Sequence, residues 1–455
     1  MNYIRNYKQL INHGSRKARR IALDCLNAAL TKADTYKGTR RLIRLERKNL
    51  FVGDKVFDLS RVNHIYVVGA GKGSFPIALA LDKILGKRIT AGIVLVKDYG
   101  KEKLRHIRVL KAGHPVPDRM SLLGGYEVQK IASRASKDDL VFACMTGGCS
   151  ALLVLPVRGV TLRDKIKMNQ LLLKTGAHIS EMNAVRKHLS LIKGGGLVKM
   201  FQPATVITLT QDTAPDFLPW PDPSLPDPST FGDAIRVLKG YGIWDKAPKR
   251  VRNYLTLGMR NPSLETPKSF TGMETYLLDT ANQRDACLAA VDYAKKRGYN
   301  AAVLSTKIEG EAKDAGMVLA GIAKEIQLYG RPFVPTCVLV SAGETTVAIH
   351  GPAGEGGPNQ EFVLGFAKSI SGYDGIAIVS IDSEGTDGPT QIAGGIGDGE
   401  TVRRAEKLGI DLLNVLKRHD ASTALTALRD AVITGPTGTN VVNLRMLVVE
   451  QREKS

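Results

Sequence analysis

The chain has 455 residues, room for two domains, and its 43% apolar and 24% charged residues are ordinary for a globular protein. It lacks both the roughly 20-residue apolar run that crosses a bilayer and any C-x-x-C pair or His/Cys cluster among its five cysteines, so a membrane span, a disulfide framework and a zinc site are not expected. The formal net charge of +20 comes with 6% aromatics and no RNP, helix-turn-helix or zinc-finger pattern, so it reads as a solvated basic face and nucleic acid is not the expected partner.

The N-terminal segment has no apolar h-region, and a cytoplasmic protein is expected. The first sixty residues read as an amphipathic helix, RRIALDCLNAALTKAD, then a connection to a strand at 64–69. Further strand-like runs follow at 91–97, 107–113, 139–145 and 204–210, β-branched and apolar on both faces, with helical segments between them. That alternation predicts a mainly parallel sheet covered on both sides.

NAVRKHLSLIKGGGL (183–197) reads as the most basic helix, and the seven-residue spacing of Arg186 and Lys193 puts them on one face. His188 is expected to be structural. Residues 211–230 hold six prolines, which exclude a helix or a central strand and predict an irregular loop carrying Asp212, Asp216, Asp222 and Asp227. A second alternating series then runs to the C-terminus, with helices in QRDACLAAVDYAKKRGY and KDAGMVLAGIAKEIQLYG and strands in NAAVLST, PTCVLVS, IAIVSI and NLRMLVVE. The predicted organisation is a Rossmann-like domain over 1–240, a connection over 241–274 and a smaller α/β domain over 275–455.

Several strands break directly into glycine- and hydroxyl-rich loops: GAGKG (69–73), TGGCS (146–150), AGETT (342–346), SEGTDGPT (383–390) and TGPTGTN (434–440). Glycine lets backbone amides converge on an anion without a Cβ in the way, and Ser or Thr adds donors. Five such loops predict a cleft for a polyanionic ligand. Lys72, in GAGKG, can meet a phosphate or carboxylate as a point charge. The loop is neither a Walker A sequence nor a full dinucleotide fingerprint, because Ser74 stands at the third glycine.

Taken in order, GAGKG, GHPVPD (113–118), TGGCSALL (146–153), NAVRKHLSLIKGG (183–195), PDPST (226–230), IEGEA (308–312), GETT (343–346), GEGGPNQE (354–361), TDGPT (386–390) and TGPTGTNV (434–441) resemble the glycerate 2-kinase family of the MOFRL type along nearly the whole chain. The resemblance implies an α/β architecture with a larger Rossmann-like N-terminal domain, a smaller α/β C-terminal domain and an active site in the cleft between them. It implies phosphoryl transfer from ATP, with Mg²⁺, to the 2-hydroxyl of D-glycerate. Lys72 matches the family's active-site lysine. Gly71, Gly73, Gly147, Gly148, Ser150, Asn183, Arg186, Lys193, Glu344 and Asn359 become candidates to hold nucleotide or hydroxy acid, and Asp212 and Asp216 to hold the metal. A homodimer is left open.

The sequence departs from the family pattern in the loops. Its GGRNQE arginine is Pro358 here, the glycine of its SDVxGD segment is Pro215, and its SGPT is PDPS, from Pro221 to Ser224. Proline brings neither charge nor N–H. An inactive homologue serving as a binding or regulatory protein, and a hydroxypyruvate reductase, a label family members have carried, stand as alternatives.

Overall fold

The computed structural model describes residues 2–99, 102–212 and 222–452, apart from the side chain of Asp212. The chain forms two compact units, Thr35–Thr280 and a second made of Met1–Asp34 with Ala281–Ser455. This division differs from the predicted boundaries at both ends. The first 34 residues join the C-terminal segment, and 241–274 is no connection, since it contains the helix Lys249–Arg260 within the first unit.

The unit Thr35–Thr280 is built on a six-stranded sheet. Its strands lie in the order Arg108–Lys111, Ile89–Val96, Ile65–Ala70, Leu140–Met145, Thr205–Asp212 and Thr275–Asn282. The first five are parallel, as their apolar runs predict. The sixth runs the same way, because Val206 pairs near Glu274 and Thr210 near Thr280. Successive residues of each strand feed opposite cores: Tyr66, Val68 and Ala70 one, Ile65 and Val67 the other. Both faces are therefore covered, which is why these strands read as continuous apolar runs. Ahead of the sheet, the segment expected to be a plain connection folds into a small antiparallel sheet, Ile43–Glu46, Asn49–Val52 and Lys55–Asp58.

The second unit carries a mixed six-stranded sheet in the order Asn300–Ser305, Cys337–Gly343, Asn443–Val449, Ile376–Asp382, Gly394–Asp398 and Ala431–Val432. Only its first pair is parallel. The helices Ala312–Tyr329 and Pro358–Ser369 cover one face. The helices Arg16–Lys32 and Gln283–Lys295 cover the other, so the N-terminal helix is an integral layer of this unit. A buried ion cluster pins it there: Arg19 pairs with Asp398 and, at 2.8 Å, with Asp430, which Arg404 holds at 2.6 Å. Burial pushes the Asp430 carboxyl upward, but Arg19, His13 and Arg404 outweigh it and hold the group down at about 2. Among the described residues no helix is long and apolar enough to cross a membrane.

Candidate functional site

In the unit Thr35–Thr280, the central strands Ile65–Ala70 and Leu140–Met145 end side by side, so GAGKG and TGGCS leave the same edge of the sheet. The two loops differ in what their amides do. In GAGKG, Gly71 N donates to Leu95 O (3.2 Å), Lys72 N to Gly147 O (2.8 Å) and Gly73 N to Thr146 Oγ1 (2.9 Å). Ser74 N, opening the helix Ser74–Leu85, donates to Gly71 O at 3.3 Å. Gly71 and Gly73 therefore offer a ligand no amide, contrary to expectation. Gly71 is glycine because its φ of +141° and the adjacent Thr146 leave no place for a Cβ.

TGGCS behaves otherwise. Among the described residues no acceptor faces the amides of Gly147 and Gly148. Gly148 has a φ of +88°, and a Cβ there would stand 3.1 Å from the His114 ring and 3.4 Å from Lys72 Cγ. Lys72, half-buried, thus packs its stem against this loop. Gly148, Ser150 and His114 form one wall of a cavity of about 390 Å³, and Lys165, Arg186 and Lys193 line it from other elements.

The charges in the cavity do not cancel. Lys193 Nζ donates to Ser150 Oγ (2.5 Å) and pairs with Asp222 (3.1 Å). Asp222 is shared: its carboxylate also lies 3.5 Å from Lys187 Nζ and accepts from Gly194 N at 3.2 Å. Among the described residues Lys165 Nζ donates only to the Leu189 carbonyl, at 2.9 Å. Burial and, after it, repulsion from Lys193 and Arg186 exceed the pull of Asp222 and bring the Lys165 amine down to about 7. Among the described residues Arg186 has no carboxylate within ion-pair distance; Nη1 reaches Asn183 Oδ1 at 3.5 Å, Nε is buried without an acceptor there, and burial lowers its pKa. Among the described residues, three cationic side chains and one shared carboxylate give this cavity the character of a site for an anion.

The helix expected over 183–197 ends at His188, in the helix Ile179–His188. Ser190 Oγ then accepts from Ile192 N and Lys193 N, turning the chain. Arg186 and Lys193 reach the same cavity through that turn and not along one helical face. His188 is structural as expected: fully buried, it bonds Ala184 O and Glu265, each at 2.7 Å. Asp227 pairs with Lys187 at 3.2 Å and accepts from Ser229 and Thr266. Asp216, Pro215, Pro221 and the side chain of Asp212 lie outside the described residues.

Two candidates belong to the second unit. Asn359 is fully buried, donating to Asp387 and Asn443 at 2.9 Å each and accepting from Ser380 at 2.6 Å. It is a core bracket, since both amide donors already have partners. Glu344 is exposed just past the strand Cys337–Gly343, with buried Arg445 donating to its neighbour Thr345 at 2.9 Å. Pro358 is the first residue of the helix Pro358–Ser369, where a missing N–H costs nothing. The amides of Asn359 and Gln360, which an external anion could have used, donate to the buried Asp387 carboxylate at 3.2 and 3.1 Å.

Sequence reasoning missed Lys165 and His114. Lys165 reads as one charge among several on an amphipathic helix, and His114 lies in a motif with no catalytic spacing.

Comparison with known proteins gives the chain's family. Residues 21–256 match the model described as a domain of unknown function, DUF4147, and residues 337–443 match the MOFRL family. The glycerate 2-kinase of Pyrococcus horikoshii is 40% identical over 438 residues, covering 95% of this chain and 98% of that protein. The chain belongs to the glycerate 2-kinase family. The crystal structure of the glycerate kinase of Thermotoga maritima superposes with a TM-score of 0.83 at 32% identity, over 94% of this chain and 99% of that one. A family relative from Agrobacterium vitis, named a putative hydroxypyruvate reductase, is 38% identical over 84% of this chain and 86% of its own.

Proposed function

We propose that the chain is a kinase that transfers the terminal phosphoryl group of ATP, with Mg²⁺, to a hydroxyl of glycerate or a closely related small hydroxy acid. The observation that carries this reading is the cavity in which Lys165, Arg186 and Lys193 converge beside the open Gly147 and Gly148 amides and against Lys72. In such a transfer the hydroxyl oxygen attacks the terminal phosphorus and the bond to the bridging oxygen breaks. The nucleoside diphosphate leaves, and the hydroxyl proton passes to solvent. Negative charge spreads over the transferring oxygens, and catalysis consists of aligning the reactants and meeting that charge with fixed donors.

Gly147, Gly148 and Ser150 would supply neutral donors, and Lys72 and Lys193 point charges. Mg²⁺, when bound, would neutralise part of the phosphate charge. Asp212 and Asp216 are the carboxylates proposed to hold it. Among the described residues no group of three or more His, Cys, Asp or Glu gathers to bind a metal.

The test is ATP consumption against glycerate, tartronate and erythronate, with the Lys72→Ala protein as background. Turnover that needs both Mg²⁺ and the hydroxy acid supports the kinase. Nucleotide binding without product would instead make this an inactive homologue, and NAD(P)H oxidation with hydroxypyruvate would make it a reductase.

A further inference from the structure

The cavity of about 390 Å³ is lined on one side by Lys193, Ser150 and Gly148 and on another by the helix Leu162–Leu173. We infer that it receives the nucleotide and not the hydroxy acid, with the phosphates at Lys193, Ser150 and Gly148 and the base against that helix. This assignment rests on the kinase reading and adds to it the location of the donor.

The first argument is size and polarity. Cavities of about 300–1,000 Å³ with mostly apolar walls and a few placed polar groups suit ligands larger than a three-carbon acid. Glycerate carries an oxygen on every carbon and has nothing to bury against apolar walls, so its desolvation there would go uncompensated. A nucleoside phosphate has what the cavity asks for: a charged tail and a flat, weakly polar base.

The second argument is layout. Lys165 and Leu172 are seven residues apart on the helix, about 10 Å at 1.5 Å per residue. The charged end at Lys165 and the apolar end at Leu172 and Leu173 thus lie apart along the helix, with Ile166 and Met168 between them. The third argument is surface. Leu173 and Val116 line the cavity and are 61% and 56% exposed. Apolar side chains left open at a cavity wall are poised to cover a planar apolar group. Asn169, on the same helix, adds an amide with both a donor and an acceptor, suited to the edge of a base.

The experiment measures KM for ATP and for glycerate separately in Leu173→Glu and Asn169→Ala, with binding of a fluorescent ATP analogue in the absence of acceptor. Leu173 is already exposed, so its variant should fold normally. KM for ATP is expected to rise about tenfold or more in Leu173→Glu while KM for glycerate stays within about twofold. Asn169→Ala should narrow the preference for ATP over GTP. If KM for glycerate rises and that for ATP holds, the cavity is the acceptor's and the inference is overturned. If neither constant nor the base preference moves, it is overturned as well. These failures leave turnover in place, whereas failure of the kinase reading would appear as an unmodified protein without turnover on any acceptor.

Discussion

Two glycine-rich helix starts, one in each unit, solve the same problem in opposite ways. At TGGCS, among the described residues, the amides of Gly147 and Gly148 face no internal acceptor, and three cations line the adjoining cavity with one shared carboxylate. At GGPNQE, the helix amides of Asn359 and Gln360 close on Asp387, a carboxylate of the chain itself. A helix start attracts negative charge in either case. What separates a binding loop from a structural one is whether the protein has already supplied that charge. Glycine content alone does not distinguish them.

The comparison is broken most severely at Lys72. Lys72→Ala should lower kcat by about 10²- to 10³-fold, the usual cost of removing one preorganised charge stabiliser. Thermal unfolding should stay near the unmodified protein's, since Lys72 is only half-buried. A large loss of stability with proportionate loss of activity would make the lysine structural. Asp387→Ala should do the converse. It strands the buried amide of Asn359 and removes a helix cap, so denaturant unfolding should show a loss of about 2–4 kcal/mol. An unchanged midpoint would mean that the GGPNQE helix start is not closed on itself.

The sequence made the scaffold legible and the division of labour within it much less so. Continuous β-branched runs such as LVFACM predict strands buried on both faces, and Leu140–Met145 is one. The placement of the first helix was hidden. Its apolar face announces a partner layer but cannot say which sheet, and the residues that decide it, Asp398 and Asp430, lie more than 370 positions beyond Arg19. GAGKG and TGGCS look alike as strings, yet Thr146 Oγ1 and Gly147 O consume the amides of the first loop. Asn359 was misread for the same reason, since its partners Asp387, Ser380 and Asn443 come from three separate segments. Lys165 went unnoticed because only tertiary packing places its amine beside Lys193 and Arg186.

That crowding of cations sharpens the comparison through pH. An amine brought down to about 7 by burial and like charges is partly neutral at physiological pH in the empty protein. An anion in the cavity favours its charged form, so binding takes up a proton and the Lys165 pKa rises in the complex. Affinity for an anionic reactant should therefore be full below about pH 7 and weaken above it, by up to tenfold per pH unit until the pKa of the complex is reached. Calorimetry in buffers of different ionisation enthalpy would report the proton uptake. Lys165→Met should flatten the pH dependence of KM, and an unaltered profile would assign the titration elsewhere.

The smallest effect separates the two loops without any substrate. Sulfate or phosphate at ten times its dissociation constant should stabilise the protein by about 1.4 kcal/mol if one site binds the anion only in the folded state. Among the described residues Arg186 lines the open site without a carboxylate partner, so that site should account for the gain, whereas the helix start at Asn359 and Gln360 already holds the Asp387 carboxylate. Arg186→Met should abolish the anion-dependent rise in melting temperature. Pro358→Ala, at a position whose N–H is absent without penalty, should leave the rise intact. If the two variants behave in the reverse way, the anion sits at the C-terminal helix and the contrast between the loops is wrong.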